Sequence, residues 1–179
     1  MRWEVLIGGS GGQGIVTAGI VLGRAASLYE GLYAVQSQLY GPESRGGASR
    51  ADVIISSRPI YYPRVISPIA LILLSQQAYD SYVRIARDGA FIILDTSPIT
   101  KRDRELEGRL RVYGVPLSRV AEEKLNSTLV VNMLSLGLLA RVTGIVKLGS
   151  LERAVSEVFS NHTRSLNVKA LKVGFELIE

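Results

Sequence analysis

The 179 residues carry 21 Lys+Arg against 16 Asp+Glu, a formal charge of +5, and 47% of them are hydrophobic. That is an ordinary globular balance with enough chain for one well-buried core, which excludes a disordered, collagen-like or disulfide-stapled chain. There is no Cys and a single His, His162, so the chain has no thiolate, no ligands for a Cys-bound zinc or iron–sulfur cluster and no His-rich metal site. Sixteen of the basic residues are Arg, scattered without a basic run, so no nucleic-acid stripe is indicated.

In chain order, residues 3–7 form a short apolar run that predicts a buried strand, followed by a loop over residues 8–14. Glu4, Gln13 and the glycines break any leader-like apolar stretch there, so residues 1–14 are expected as strand and loop. Residues 15–30 are apolar almost all round and rich in Gly and Ala, which predicts a buried helix with Gly31 behind it as its stop. Residues 32–36 predict a second strand, and residues 37–47 a loop rich in Gly, Pro and charge. Ala51, Val53 and Ile55 alternate with Arg50, Asp52 and Ser56, as in a half-buried strand with antiparallel neighbours.

Residues 69–74 are a continuous aliphatic run and predict a central strand; a helix is expected over 76–87, a buried strand over 91–94, a weaker strand over 109–115 and a short helix over 117–124. Residues 128–142 predict a helix with Leu129, Met133, Leu136 and Ala140 on one face. Ser150 is expected to cap a helix to residue 159, and residues 166–178 to close the chain as a helix. Alternating strands and helices give an α/β class, Rossmann-like, with a largely parallel sheet flanked by helices in one domain over residues 1–179. The most apolar stretch is 12 residues, against the roughly 20 that a spanning helix needs, so no membrane contact is expected.

Two motifs carry chemistry. Gly9-Ser10-Gly11-Gly12-Gln13-Gly14 sits between strand and helix as G-x-G-x-x-G, where glycines permit a tight turn and the helix N-terminus offers free N–H groups to a phosphate. The bland alternative is that the glycines only allow helix and sheet to pack. A nicotinamide fingerprint would add an acid after the second strand, whereas Ala34-Val35-Gln36-Ser37-Gln38 has none. The second motif, Gln38-Leu39-Tyr40-Gly41-Pro42-Glu43-Ser44-Arg45-Gly46-Gly47, offers Arg45 for a carboxylate or phosphate and Glu43 to orient it or act as a base; as an anonymous loop it would hold one surface ion pair. Lesser candidates are Asn132, buried in an apolar helix and able to brace the glycine loop; His162 as a cap or loop residue; Asp95 at a strand end, where it could read a ribose or cation; and Tyr61-Tyr62 as a contact for a partner chain or a base.

Together the Gly9–Gly14 loop, Tyr40-Gly41-Pro42-Glu43-Ser44-Arg45-Gly46-Gly47 with its following strand, Asn132, and Asn167 with Ala170 and Gly174 resemble the γ subunit of the 2-oxoacid:ferredoxin oxidoreductases over nearly the whole chain. The resemblance implies a cytoplasmic subunit, inactive alone, of an enzyme converting a 2-oxoacid and CoA to acyl-CoA and CO2 while reducing ferredoxin, of 2-oxoglutarate or broad 2-oxoacid type. It implies α, β and ferredoxin-like δ partner subunits, and thiamine pyrophosphate, iron–sulfur clusters and CoA in the assembled complex. No cofactor is assigned to this chain alone. It implies catalytic roles for Glu43 and Arg45 and cofactor contacts at Gly9, Gly11, Gly12, Gln13, Gly14, Tyr40 and Asn132. The rival expectation is an independent Rossmann-type oxidoreductase using a flavin or nicotinamide.

Overall fold

The computed structural model describes residues 1–40 and 48–178. Six strands form one sheet in the order β2-β3-β1-β4-β5-β6: β1 Arg2–Gly9, β2 Tyr33–Tyr40, β3 Ser49–Ser56, β4 Ala70–Leu73, β5 Phe91–Asp95 and β6 Arg111–Val115. β1, β4, β5 and β6 run parallel, and β3 lies antiparallel between β1 and β2. The sheet is therefore largely parallel, as expected. Its central strands are apolar without alternation because helices cover both faces.

Helix α1 (Ile15–Arg24) follows β1, continues as a π-helical turn over Ala25–Tyr29 and stops at Gly31, whose φ is +66°. It shares one face with α4 (Leu117–Leu125), α5 (Val131–Thr143), α6 (Leu148–Val158) and α7 (Asn161–Phe175). The opposite face is covered by α2 (Gln76–Tyr82) and the single turn α3 (Arg104–Glu107). α1 carries the chain from β1 to one side of the sheet, and α2 carries it from β4 to the other. The strand order thus switches between β1 and β4, and the crevice outside their carboxyl ends is where open α/β sheets bind ligands.

Several boundaries differ from expectation. β2 runs to Tyr40, so residues 37–40 are strand, because all eight of its residues pair with β3 from Tyr33↔Ser56 to Tyr40↔Ser49. β3 is buried on both faces from Ala51 onward. Its charge is tolerated because Arg50 grips Asp52 through two bonds of 2.7 and 2.8 Å, donates to the Val65 carbonyl and lies 5.4 Å over the Tyr82 ring. The helix expected over 76–87 ends at Tyr82 and tightens to a 3-10 turn over Val83–Ile85. α3 arises where the Asp103 carboxylate accepts from Leu106 N.

The first turn of the 128–142 helix is 3-10 (Thr128–Val130), which turns Leu129 outward at 79% exposure, and α5 itself is buried almost all round. Ser150 does not cap α6, which starts at Leu148. Instead its hydroxyl donates to Glu30, which also accepts from Lys147 N and so caps the helix from another element. Burial pushes the Glu30 carboxyl up, but these hydrogen bonds and the Lys147 charge outweigh it and hold the carboxyl below its ordinary value. α7 begins at Asn161, five residues before the expected start, and places His162 exposed in its first turn.

α5 and α7 cross at Gly137 and Gly174. A Cβ on Gly174 would overlap the Leu134 carbonyl oxygen, and one on Gly137 the Leu171 carbonyl oxygen. Gly174→Ala is therefore expected to cost about 1–3 kcal/mol in urea unfolding through overpacking. Gly149→Ala, in α6 with open space around it, should instead stabilise by about 0.5–1 kcal/mol.

Candidate functional site

The glycine loop lies at the β1/β4 switch point. Gly9 ends β1, and the turn Ser10–Gln13 closes by a 3.2 Å bond from Gln13 N to the Ser10 carbonyl, with Gly12 at φ +86°. That is the turn position that demands a positive φ. Gly14, at φ +67°, is the N-cap of α1, and Ala18 N donates to its carbonyl. A Cβ on Gly11 or Gly12 would meet nothing within 4 Å, so both face open space.

Two amide side chains fix this loop. Gln13 Oε1 accepts from Ser10 N at 2.6 Å, and Nε2 donates to the Leu74 carbonyl at 3.1 Å, just beyond the end of β4. Gln13 thus spans the switch point, and both ends of its amide are engaged within the fold. Asn132, 4% exposed, donates from Nδ2 to the Gly14 carbonyl at 3.1 Å and accepts from Met133 N at 2.9 Å. It ties the start of α5 to the start of α1.

A third helix joins them. One cleft of about 230 Å³ is lined by Gly12 and Gly14 of the loop and Thr17 of α1, by Ser127, Leu129, Val130 and Asn132 around the start of α5, and by Phe159, Thr163, Leu166 and Asn167 around the start of α7. None of the three helices has an acid in its first turn, and α1 and α7 have no side-chain cap, whereas the 3-10 turn leading into α5 is capped by the Ser127 hydroxyl, which accepts from Leu129 N. α1 and α7 therefore leave N–H groups unpaired and a partial positive charge at their ends, which favours an anion, while at the start of α5 Val131 N donates to the Thr128 carbonyl and Met133 N to Asn132 Oδ1. Among the described residues the walls contain no carboxylate, histidine, lysine or arginine, and Leu129, Val130, Phe159 and Leu166 make one side apolar. Thr17, Thr163 and Asn167 were not expected as cleft residues; Ser160, a serine N-cap that starts α7 early, is the signal for Thr163 and Asn167.

Of the expected contacts, Gly12, Gly14 and Asn132 line this cleft, while Gly9, Gly11 and Gln13 belong to the same loop. Glu43, Arg45 and the Tyr40 side chain lie outside the described residues. The strand residues on either side of that segment are placed: Tyr40 and Ser49 pair with each other, and Ser49 pairs with Gly9. The second motif therefore starts and ends at the glycine-loop end of the sheet.

Asp95 does not serve as a reader of ribose or cation. It is fully buried and accepts from Ser97 N, Ser118 N and the Ser118 hydroxyl, so it anchors α4 to β5. A second cleft, of about 310 Å³, lies beside α2 and holds a closed network. Arg102 grips Glu107 through bonds of 2.8 and 2.7 Å, and the Tyr79 hydroxyl donates to Glu107 while accepting from Asp103 N. Burial pushes the Tyr79 hydroxyl up, and the Glu107 hydrogen bond holds the Arg102 charge in place. With every member partnered, the network fastens α3 to α2. Among the described residues, no cluster of three His, Asp or Glu could hold a metal, and no helix is long and apolar enough to cross a membrane.

Asn132→Leu should leave the Gly14 carbonyl short of a donor and free the glycine loop, at a cost of about 1–3 kcal/mol. Hydrogen exchange at Gln13 and Ala18, whose amides donate to the Ser10 and Gly14 carbonyls, is expected to accelerate well before global unfolding; unchanged exchange there would show that the loop holds itself.

Comparison with known proteins places the chain among relatives. A profile of the pyruvate ferredoxin/flavodoxin oxidoreductase family matches residues 4–177. The 2-oxoglutarate synthase subunit KorC of Methanocaldococcus jannaschii is 42% identical over 177 residues, covering 99% of this chain and 94% of that one. KorC of Methanothermobacter marburgensis is 45% identical over 181 residues, covering 99% and 97%. The crystal structure of a keto/oxoacid ferredoxin oxidoreductase γ subunit from Geobacter sulfurreducens superposes with a TM-score of 0.89 at 35% identity, over 98% of this chain and 95% of that one. The chain belongs to the pyruvate ferredoxin/flavodoxin oxidoreductase family.

Proposed function

We propose that this chain is the γ subunit of a cytoplasmic 2-oxoacid:ferredoxin oxidoreductase of 2-oxoglutarate type, and that its glycine-loop cleft receives the phosphate-bearing part of CoA. The observation that carries the site is the meeting of the uncapped N-termini of α1 and α7 on one cleft whose described lining carries no ionisable side chain. The 2-oxoglutarate type is supported by the near-full-length identity to two archaeal 2-oxoglutarate synthase subunits. The overall reaction joins a 2-oxoacid and CoA to give acyl-CoA and CO2, with two electrons passing to ferredoxin.

The residues present fit a phosphate ligand. Gly11 and Gly12 leave the loop backbone open to close approach, and Thr17, Thr163 and Asn167 add polar groups beside the helix ends. The apolar wall of Leu129, Val130, Phe159 and Leu166 suits the less polar arm that follows a diphosphate. Gln13 and Asn132 keep the loop from rearranging when a ligand arrives, which lowers the ordering cost of binding. This chain has no Cys to hold an iron–sulfur cluster, so the clusters, thiamine pyrophosphate and substrate activation fall to α, β and ferredoxin-like δ subunits. Arg45 is the group proposed to clamp a carboxylate or phosphate at the shared active centre, with Glu43 orienting it.

The isolated chain is expected to show no 2-oxoacid oxidation with ferredoxin or a viologen, while the reconstituted complex oxidises 2-oxoglutarate. In that complex Gly12→Val should raise the KM for CoA about tenfold or more with the chain still folded, since valine does not adopt the positive φ and its side chain enters the approach path. Unchanged CoA dependence would remove the loop from the site.

Arg45→Lys should lower kcat/KM for the complex about tenfold or more, because an ammonium lacks the two-pronged fork. Wild-type rate in an assembled Arg45→Lys complex would reduce this residue to a surface ion pair worth about 0–1 kcal/mol.

A further inference from the structure

The two edges of the sheet differ in kind. β6 is five residues long, opens on Arg111 and runs into Pro116, so it is short, charged and blocked against further pairing. β2, at the other edge, has eight residues, Tyr-Ala-Val-Gln-Ser-Gln-Leu-Tyr, without Lys, Arg, Asp, Glu, Pro or Gly. Its inner side pairs with β3 along the whole length, and its outer side is the edge of the sheet. Leu28 and Tyr33, at the start of this edge, are 57% and 51% exposed. A long, uncharged edge strand beside exposed apolar groups is a template for another strand.

The order of residues in β2 says which strand. Around Ser37 the sequence is nearly the same in both directions: Gln36 mirrors Gln38, and Val35 mirrors Leu39. A strand that mirrors itself sets like against like when it pairs antiparallel with its own copy, as an isologous two-fold contact requires. We propose that β2 pairs antiparallel with β2 of a second copy of this chain about a two-fold axis at Ser37, joining two six-stranded sheets into one continuous sheet. The register places Gln36 across from Gln38 and Val35 across from Leu39 of the second copy, with the two Ser37 residues face to face. The contact lies along the sheet edge, and it stands whether or not the glycine-loop cleft receives CoA.

The register gives the test. The full-length chain is expected to sediment as a dimer at micromolar concentration. Ser37→Lys brings two ammonium groups opposite each other and Ser37→Glu two carboxylates, so each variant alone should be monomeric. An equimolar mixture should associate at least about tenfold more tightly than either variant alone. A monomeric wild-type chain overturns the proposal and leaves the edge to a strand of a different subunit. Variants that remain dimeric on their own also overturn it, because the contact then lies elsewhere. Circular dichroism checks that the variants fold. If they do not, hydrogen exchange of the wild-type chain decides: protection of alternate β2 amides that rises with protein concentration supports the pairing, and exchange independent of concentration refutes it.

Discussion

The amide of Asn132 holds the molecule's functional end together. Its 3.1 Å bond to the Gly14 carbonyl joins the first turn of α5 to the first turn of α1, across 118 residues of sequence. It also needs Gly14 to be glycine twice over: the residue sits at φ +67°, and a Cβ there would run into the Asn132 amide. Gln13 makes the second tie, from the loop to the end of β4. Between them the two amides fix a loop that would otherwise be a floppy run of glycines. α7 then completes the cleft because α5 and α7 are held in close contact by Gly137 and Gly174. Small residues deep in the helical layer thus set the position of a helix end at the surface.

Much of this was open to inference from local pattern. The apolar run of β1, its glycines and the apolar α1 identify strand, loop and helix because each has its own period and its own stop residue. Asn132 stands out as a lone amide in an apolar helix. The convergence of three helix N-termini is different, because it depends on contacts between residues more than a hundred positions apart. Ser160-Asn161-His162-Thr163-Arg164 looks like a linker, since its first four residues are polar and exposed. Only its packing beside α5 makes it the start of a helix. Leu129 misleads by the same mechanism, because a 3-10 turn advances each residue by more than an α-turn and swings it outward. In β3 the alternation is real, yet the polar face is covered as well, because Arg50 and Asp52 neutralise each other there.

The chemistry of the chain is that of a receiver. The buried ionisable groups are used up in structure: Asp95 on α4, Glu107 with Arg102 and Tyr79, Asp52 with Arg50. Among the described residues the cleft has backbone N–H groups, hydroxyls and amides but no side chain that ionises near neutral pH. Its interaction with an anion is therefore expected to vary little with pH and to rest on geometry.

The central claim is that CoA phosphates sit on the convergent ends of α1 and α7. It is tested most directly by hydrogen exchange of the assembled complex with and without CoA. The account predicts slowed exchange at the amides of residues 12–17 and 161–164, with β5 and β6 unchanged. Equal exchange at the glycine loop with and without saturating CoA would contradict it.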